Sequence, residues 1–189
     1  MTDRSLTDRS LVVTVFGGAR VARDSHEYEE ARLLGQRLAE MGFALCNGGY
    51  SGTMEAASRG AQEAGGRTIG VVVDLFGATP PNDWVQEVEN TTSLLLRLDK
   101  LTVLGDAFVV LRGGVGTLLE LALVWNLVLL GATHGKPILV VGDSWRQVIQ
   151  SMRDTLTLRD ADVDLVTLVP DVPAAIESLL SWRAGLDSA

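Results

Sequence analysis

Three short apolar runs in this chain each end in adjacent glycines, and that repetition constrains the fold more than any other feature. Residues 11–16 (LVVTVF) run into Gly17-Gly18, residues 43–46 (FALC) into NGGYSG, and residues 107–111 (AFVVL) into RGGVGT. Continuous aliphatic and β-branched runs of this length fit strands buried on both faces. Helical spacing fills the intervals. In residues 26–41, Tyr28, Ala31, Leu34, Leu38 and Met41 fall three or four apart on one face, and Gly42 ends the helix. Residues 53–64 read as the next helix, 68–73 as a strand, 117–130 as an apolar helix and 137–141 as a strand. A helix over 144–156, a last strand over 165–169 and a closing helix over 172–182 complete the pattern.

This alternation implies parallel pairing with right-handed crossovers, because adjacent parallel strands need long connections. The expected fold class is α/β: a single-domain, doubly wound parallel sheet of Rossmann-like type with helices on both faces, spanning residues 11–184. Residues 1–10, MTDRSLTDRS, repeat TDRS without an apolar run and read as a frayed tail. Pro80-Pro81 and Asn82-Asp83 break any element in residues 74–96, where the expectation is a surface loop beside the ligand crevice, then a short strand over 91–96.

Composition narrows the partners. Sixteen Lys and Arg against 24 Asp and Glu leave a net charge of -8, which disfavours a nucleic acid polymer or an anionic membrane. Glu120 and Asn126 interrupt the longest apolar run, well short of the roughly 18 residues of a membrane span. A single cysteine, Cys46, allows no disulfide framework, and a cytoplasmic location is expected. His26 and His134 stand far apart without a metal-binding motif, so no metal is expected.

Glycine at a strand end lets backbone approach a ligand, so that successive N–H groups converge on one anion. The second and third turns also precede helices, whose unpaired first-turn N–H groups and dipole favour negative charge. Gly17, Gly18, Asn47, Gly48, Gly49, Gly52, Gly113, Gly114, Val115, Gly116 and Thr117 are therefore candidate phosphate-binding residues. Arg20 either closes over the anion or faces solvent. No turn carries G-x-G-x-x-G with a ribose-binding acid, or G-K-[ST], so a dinucleotide dehydrogenase and a P-loop hydrolase both fit poorly. The guest expected is a nucleoside monophosphate or another phosphorylated small molecule.

Arg97 and Glu120 are the candidate catalytic residues. Thr117 and Glu120 form either a capping box or a functional pair in which an ionised Glu120 takes a proton or holds a ribose hydroxyl. Arg97 follows three leucines and reads as a cation at a buried strand end, which needs a phosphate or carboxylate partner. Glu120 or Asp99 would serve as that partner in a purely structural reading.

The segments VFGGARV, NGGYSGTMEAASRGAQEAGG and LRGGVGTLLELALVW resemble the LOG family of cytokinin-activating phosphoribohydrolases, once labelled lysine decarboxylases, over roughly residues 11–150. The resemblance implies hydrolysis of the N-glycosidic bond of a nucleoside 5′-monophosphate, such as AMP or a cytokinin riboside monophosphate, without a cofactor, by a homodimer. The family motif P-G-G-x-G-T-x-x-E falls on residues 112–120, making Glu120 the counterpart of a catalytic carboxylate, and an Arg-Lys element falls on Arg97 and Leu98. Arg112, Leu98 and Leu119 depart from the motif, and NGGYSGTME is closer to a sister group of nucleotide-binding proteins and molybdenum-cofactor carriers. A noncatalytic carrier is thus the alternative. Lysine decarboxylation is not supported, since neither Lys100 nor Lys136 sits in a Schiff-base setting.

Overall fold

One sheet of seven parallel strands organises the chain in the computed structural model, which describes residues 10–77, 79–133, 135–186 and 188. Most of the expected tail, residues 1–9, and His134 lie outside the described residues. The strands are β1 (Val12–Phe16), β2 (Ala44–Asn47), β3 (Thr68–Val73), β4 (Glu87–Thr91), β5 (Ala107–Val110), β6 (Ile138–Val141) and β7 (Val166–Val169). Their order across the sheet is β4-β3-β2-β1-β5-β6-β7. The winding direction reverses between β1 and β5, which pair in register from Val13 against Ala107 to Phe16 against Val110. A crevice opens at such a reversal, outside the carboxyl ends of the two strands.

Helices cover both faces. On one side α1 (His26–Glu40), α2 (Thr53–Glu63) and α7 (Val172–Leu186) bury Tyr28, Leu34, Leu38, Ala57, Ala61 and Leu179 against Val13, Val15, Leu45 and Val109. On the other, α3 (Leu94–Leu104), α4 (Val115–Leu129) and α5 (Asp143–Thr155) bury Leu101, Leu121, Val124, Trp125, Trp145 and Ile149 against Val12, Phe16, Phe108 and Val110. A short α6 (Asp160–Val163) precedes β7. Close approach of α1 to α2 depends on two glycines: a Cβ at Gly35 would fall on the Ala57 carbonyl, and one at Gly60 on the Arg32 carbonyl. Among the described residues no helix is long and apolar enough to cross a membrane.

The expected strand over 91–96 is overturned. The strand lies upstream, at Glu87–Thr91, and residues 94–96 open α3, with the Ser93 side chain accepting from Leu96 N–H at 3.2 Å as N-cap. The physical reasons are local. Leucines, which are not branched at Cβ, favour helix initiation after a serine, whereas β4 is an edge strand of sequence EVENT that pairs only with β3 and needs no apolar run. Arg97 therefore sits on the first turn of a helix rather than at a strand end.

Candidate active site

Two of the three glycine corners flank the reversal, after β1 and after β5, and together they rim a cavity of about 850 Å³. Gly17, Gly18, Arg20, Gly113, Gly114, Val115, Gly116 and Thr117 line it, with Arg97 and Glu120. The structure thus brings both candidate catalytic residues and eight of the twelve candidate binding residues into one space. Arg20 is exposed at its edge.

Asn47, Gly48, Gly49 and Gly52 do not line it; apart from Tyr50, the second corner is the support behind the first. Asn47 is fully buried, its amide donating to Met54 O at 2.9 Å and Ser58 Oγ at 3.0 Å, while Gly49 N–H donates to its Oδ1 at 2.8 Å. Thr53 N–H donates to Gly18 O at 2.9 Å, and Ser51 Oγ to Ala19 O at 3.0 Å. Gly18 N–H in turn donates to Arg112 O at 3.1 Å. The three corners are hydrogen-bonded in series, and glycine at 17 serves contact between them. A Cβ on Gly17 would collide with Thr53, whereas one on Gly18 would make only ordinary contact with Gly113.

The third corner is the one with amides to offer. Helix α4 begins at Val115 behind the N-cap Gly114, with no side-chain cap and no acidic residue in its first turn. The first-turn N–H groups of a helix have no intrahelical acceptor, so those of Val115, Gly116 and Thr117 face the crevice with the dipole's positive end behind them. By contrast α1 has Ser25 as cap and Glu27 and Glu29 in its first turn, and α2 has Glu55. The Thr117–Glu120 capping box is absent, because Thr117 is already the third residue of the helix. Thr117 packs instead on Gly113, where a Cβ would collide with its side chain.

Arg97 and Glu120 bridge α3 and α4 across the cavity floor, Nη1 to Oε1 at 3.7 Å, with side chains 7% and 13% exposed. Arg97 Nε donates to Val71 O at 2.8 Å, and its guanidinium carbon lies 5.8 Å from the Tyr50 ring centre and 6.0 Å from that of Phe76. A Cβ at Gly48 would occupy the guanidinium's place, which explains that glycine. Glu120 belongs to the second turn of α4, beyond the reach of the helix terminus. Burial pushes its carboxyl up to about 7 against the attraction of Arg97, which corrects the expectation of a fully ionised group. Such a carboxyl exchanges its proton near neutral pH, as general acid–base chemistry requires.

Sequence reasoning did not single out Tyr50, Met54, Phe76 and Thr79, which form the wall nearest β2 and β3, or Ser25 and Glu27 at the α1 rim. Tyr50 lies within NGGYSG and was visible in principle as the one aromatic residue of a glycine corner. Arg112 is exposed and pairs with Glu27 at 3.0 Å. Among the described residues no group of three or more His, Cys, Asp or Glu could hold a metal ion.

A family model described as SLOG cluster4 matches residues 10–166. The chain belongs to the SLOG cluster4 family. The LOG-like resemblance in its motifs is therefore real, and curated relatives carry the corresponding names. The cytokinin riboside 5′-monophosphate phosphoribohydrolase of Rhodococcoides fascians is 33% identical over 70% of this chain and 68% of its own. That of Mycobacterium tuberculosis is 32% identical over 79% of this chain and 83% of its own. Among solved structures, the molybdenum cofactor binding protein of Rippkaea orientalis matches with a TM-score of 0.74 and 26% identity, covering 93% of this SLOG chain and 99% of that one. The molybdenum cofactor carrier protein of Chlamydomonas reinhardtii matches with a TM-score of 0.71 and 27% identity over the same shares.

Proposed function

We propose that this protein hydrolyses the N-glycosidic bond of a nucleoside 5′-monophosphate, AMP or a cytokinin riboside monophosphate, to free base and ribose 5-phosphate. The observation that carries the reading is a buried carboxyl titrating near neutrality, one helical turn from an uncapped glycine-rich N-terminus. The first-turn amides of α4 bind the 5′-phosphate, which fixes C1′ of the ribose beside Glu120. As the bond from C1′ to the base nitrogen breaks, its electron pair leaves with the base and positive charge develops on the sugar ring. The Glu120 carboxylate faces that charge, takes the proton of the water whose oxygen bonds to C1′ and passes it to the departing base nitrogen, while Arg97 holds the carboxylate in place. Relatives named as phosphoribohydrolases support this chemistry, as does a 30% identical pyrimidine/purine nucleotide 5′-monophosphate nucleosidase of Escherichia coli, of which this chain matches 26%. Chromatographic detection of adenine from AMP tests it. Release abolished by Glu120→Gln is the expected result, and no release by the native protein from any purine or pyrimidine monophosphate would overturn it.

A second reading, a noncatalytic carrier of the molybdenum cofactor, is favoured by the near-complete alignment with two proteins named for that cofactor. It uses the same amides and does not require turnover. Cofactor retained through gel filtration, with no base released from any monophosphate, would establish this reading in place of the first.

A homodimer is part of the proposal. Helices α3 and α4, which carry Arg97 and Glu120, leave Leu95, Leu96, Val103, Leu118 and Leu119 exposed. Leu121, Val124 and Trp125 of α4 are buried in the core.

A further inference from the structure

In the wall formed by Tyr50 and Phe76, Tyr50 is packed in a small core cluster, whereas Phe76 belongs to no core cluster and has no part in the chemistry above. We propose that this wall receives the flat heterocyclic base of the bound molecule, with Phe76 as the residue that confers preference for a ligand bearing one. This rests on a phosphate-bearing guest in the cavity, and holds whether that guest is cleaved or carried.

Phe76 ends the 3-10 turn that follows β3 (Asp74–Phe76) and is 48% exposed, although it is a large aromatic side chain. It belongs to neither of the two main core clusters. Among the described residues its ring partner is Tyr50, met edge-on at 5.4 Å and 68°. Tyr50 is fixed: it is buried, accepts from Val73 N–H at 2.9 Å, donates to Val73 O at 3.2 Å, and packs with Met54 and Val72. One ring is thus held rigidly while its neighbour stays open to the cavity, the arrangement of a stacking platform.

The order of chemistry along the cavity agrees with this. Free amides lie after β5, the Arg97–Glu120 pair comes next, and the aromatic pair follows β2 and β3. From β5 to β3 is three strand spacings, about 14 Å. A nucleotide laid across that distance from its phosphate meets amides, then the ion pair at its sugar, then the rings at its base. The Arg97 guanidinium, within 6.0 Å of both ring centres, joins the last two stations.

Isothermal titration calorimetry with AMP and with ribose 5-phosphate, which lacks the base, tests the assignment in the Glu120→Gln background, where AMP is not cleaved during the titration, with Phe76 intact and with Phe76→Ala, Phe76→Leu and Phe76→Trp. With Phe76 intact, AMP should bind more tightly than ribose 5-phosphate. Alanine and leucine should weaken AMP about tenfold and leave ribose 5-phosphate unchanged, whereas tryptophan should retain AMP. The assignment is overturned if AMP binds no more tightly than ribose 5-phosphate, if both ligands weaken alike, or if alanine leaves AMP untouched. Adenine release measured on the same Phe76 series with Glu120 intact separates the two claims. The expected binding pattern without release supports the subsite and counts against hydrolysis, while release with AMP affinity indifferent to Phe76 removes the subsite alone.

Discussion

Glu120→Gln keeps the shape of the side chain and removes its charge, and the structure predicts opposite effects on stability and turnover. Burial lifts the carboxyl from its ordinary 4.5 to about 7 with the attraction of Arg97 already included. A carboxyl so raised holds its proton more tightly in the folded chain than in the unfolded one, so the folded state is favoured while the group is protonated. That advantage is complete below pH 4.5, declines as pH rises, and is gone above about 7, a total of about 3 kcal/mol. Glutamine never ionises. The variant should therefore be more stable than the native protein by about 3 kcal/mol at pH 8, with the gap narrowing to under about 1 kcal/mol at pH 5. Its kcat should fall at least about 100-fold, the lower range of general acid–base contributions, with KM for AMP nearly constant. The native rate should rise with pH and level off above about 7, standing near a tenth of its plateau at pH 6. Urea denaturation at the two pH values and chromatographic adenine release supply the measurements. A variant equal to or weaker than the native protein at pH 8, with turnover intact, would refute both the burial argument and the catalytic assignment.

Three further outcomes are expected. Gly48→Ala places a methyl group where the Arg97 guanidinium lies and forces it away from Val71 O and Glu120, so adenine release should fall at least tenfold and the urea midpoint should fall with it. Gly35→Ala meets the Ala57 carbonyl, which cannot move without separating α1 from α2, so it should lose about 1–3 kcal/mol of stability in urea denaturation. Leu119→Arg on the exposed face of α4 should convert a dimer to a monomer in light scattering coupled to gel filtration, and an unchanged mass would exclude that face as the interface.

The strands that proved easiest to read are those buried on both faces. LVVTVF and AFVVL allow no other reading, and their glycine ends placed two of the three corners where the cavity lies. Edge strand β4 was hidden because half-exposed EVENT carries none of that signal, and the leucines that followed it were read as strand when a serine cap turns them into helix. Arg97 and Glu120 were legible as charges that an apolar neighbourhood has to justify. Their pairing was legible only as one of two alternatives, Glu120 or Asp99, since the choice depends on which faces α3 and α4 turn toward each other. The role of the second corner was also out of reach: glycine that approaches a ligand and glycine that approaches another loop look identical in a sequence, and only the bonds from Thr53 and Ser51 reveal the latter.

Because the corner after β2 bonds to the corner after β1, and that one to the corner after β5, position errors propagate along the row as through a linkage of rigid rods. Replacements near Asn47 can spoil ligand capture two strands away without touching a single group that meets the ligand. Efforts to retune this protein toward new guests have more freedom at Phe76, whose half-exposed ring carries none of those hydrogen bonds, than anywhere along the glycines.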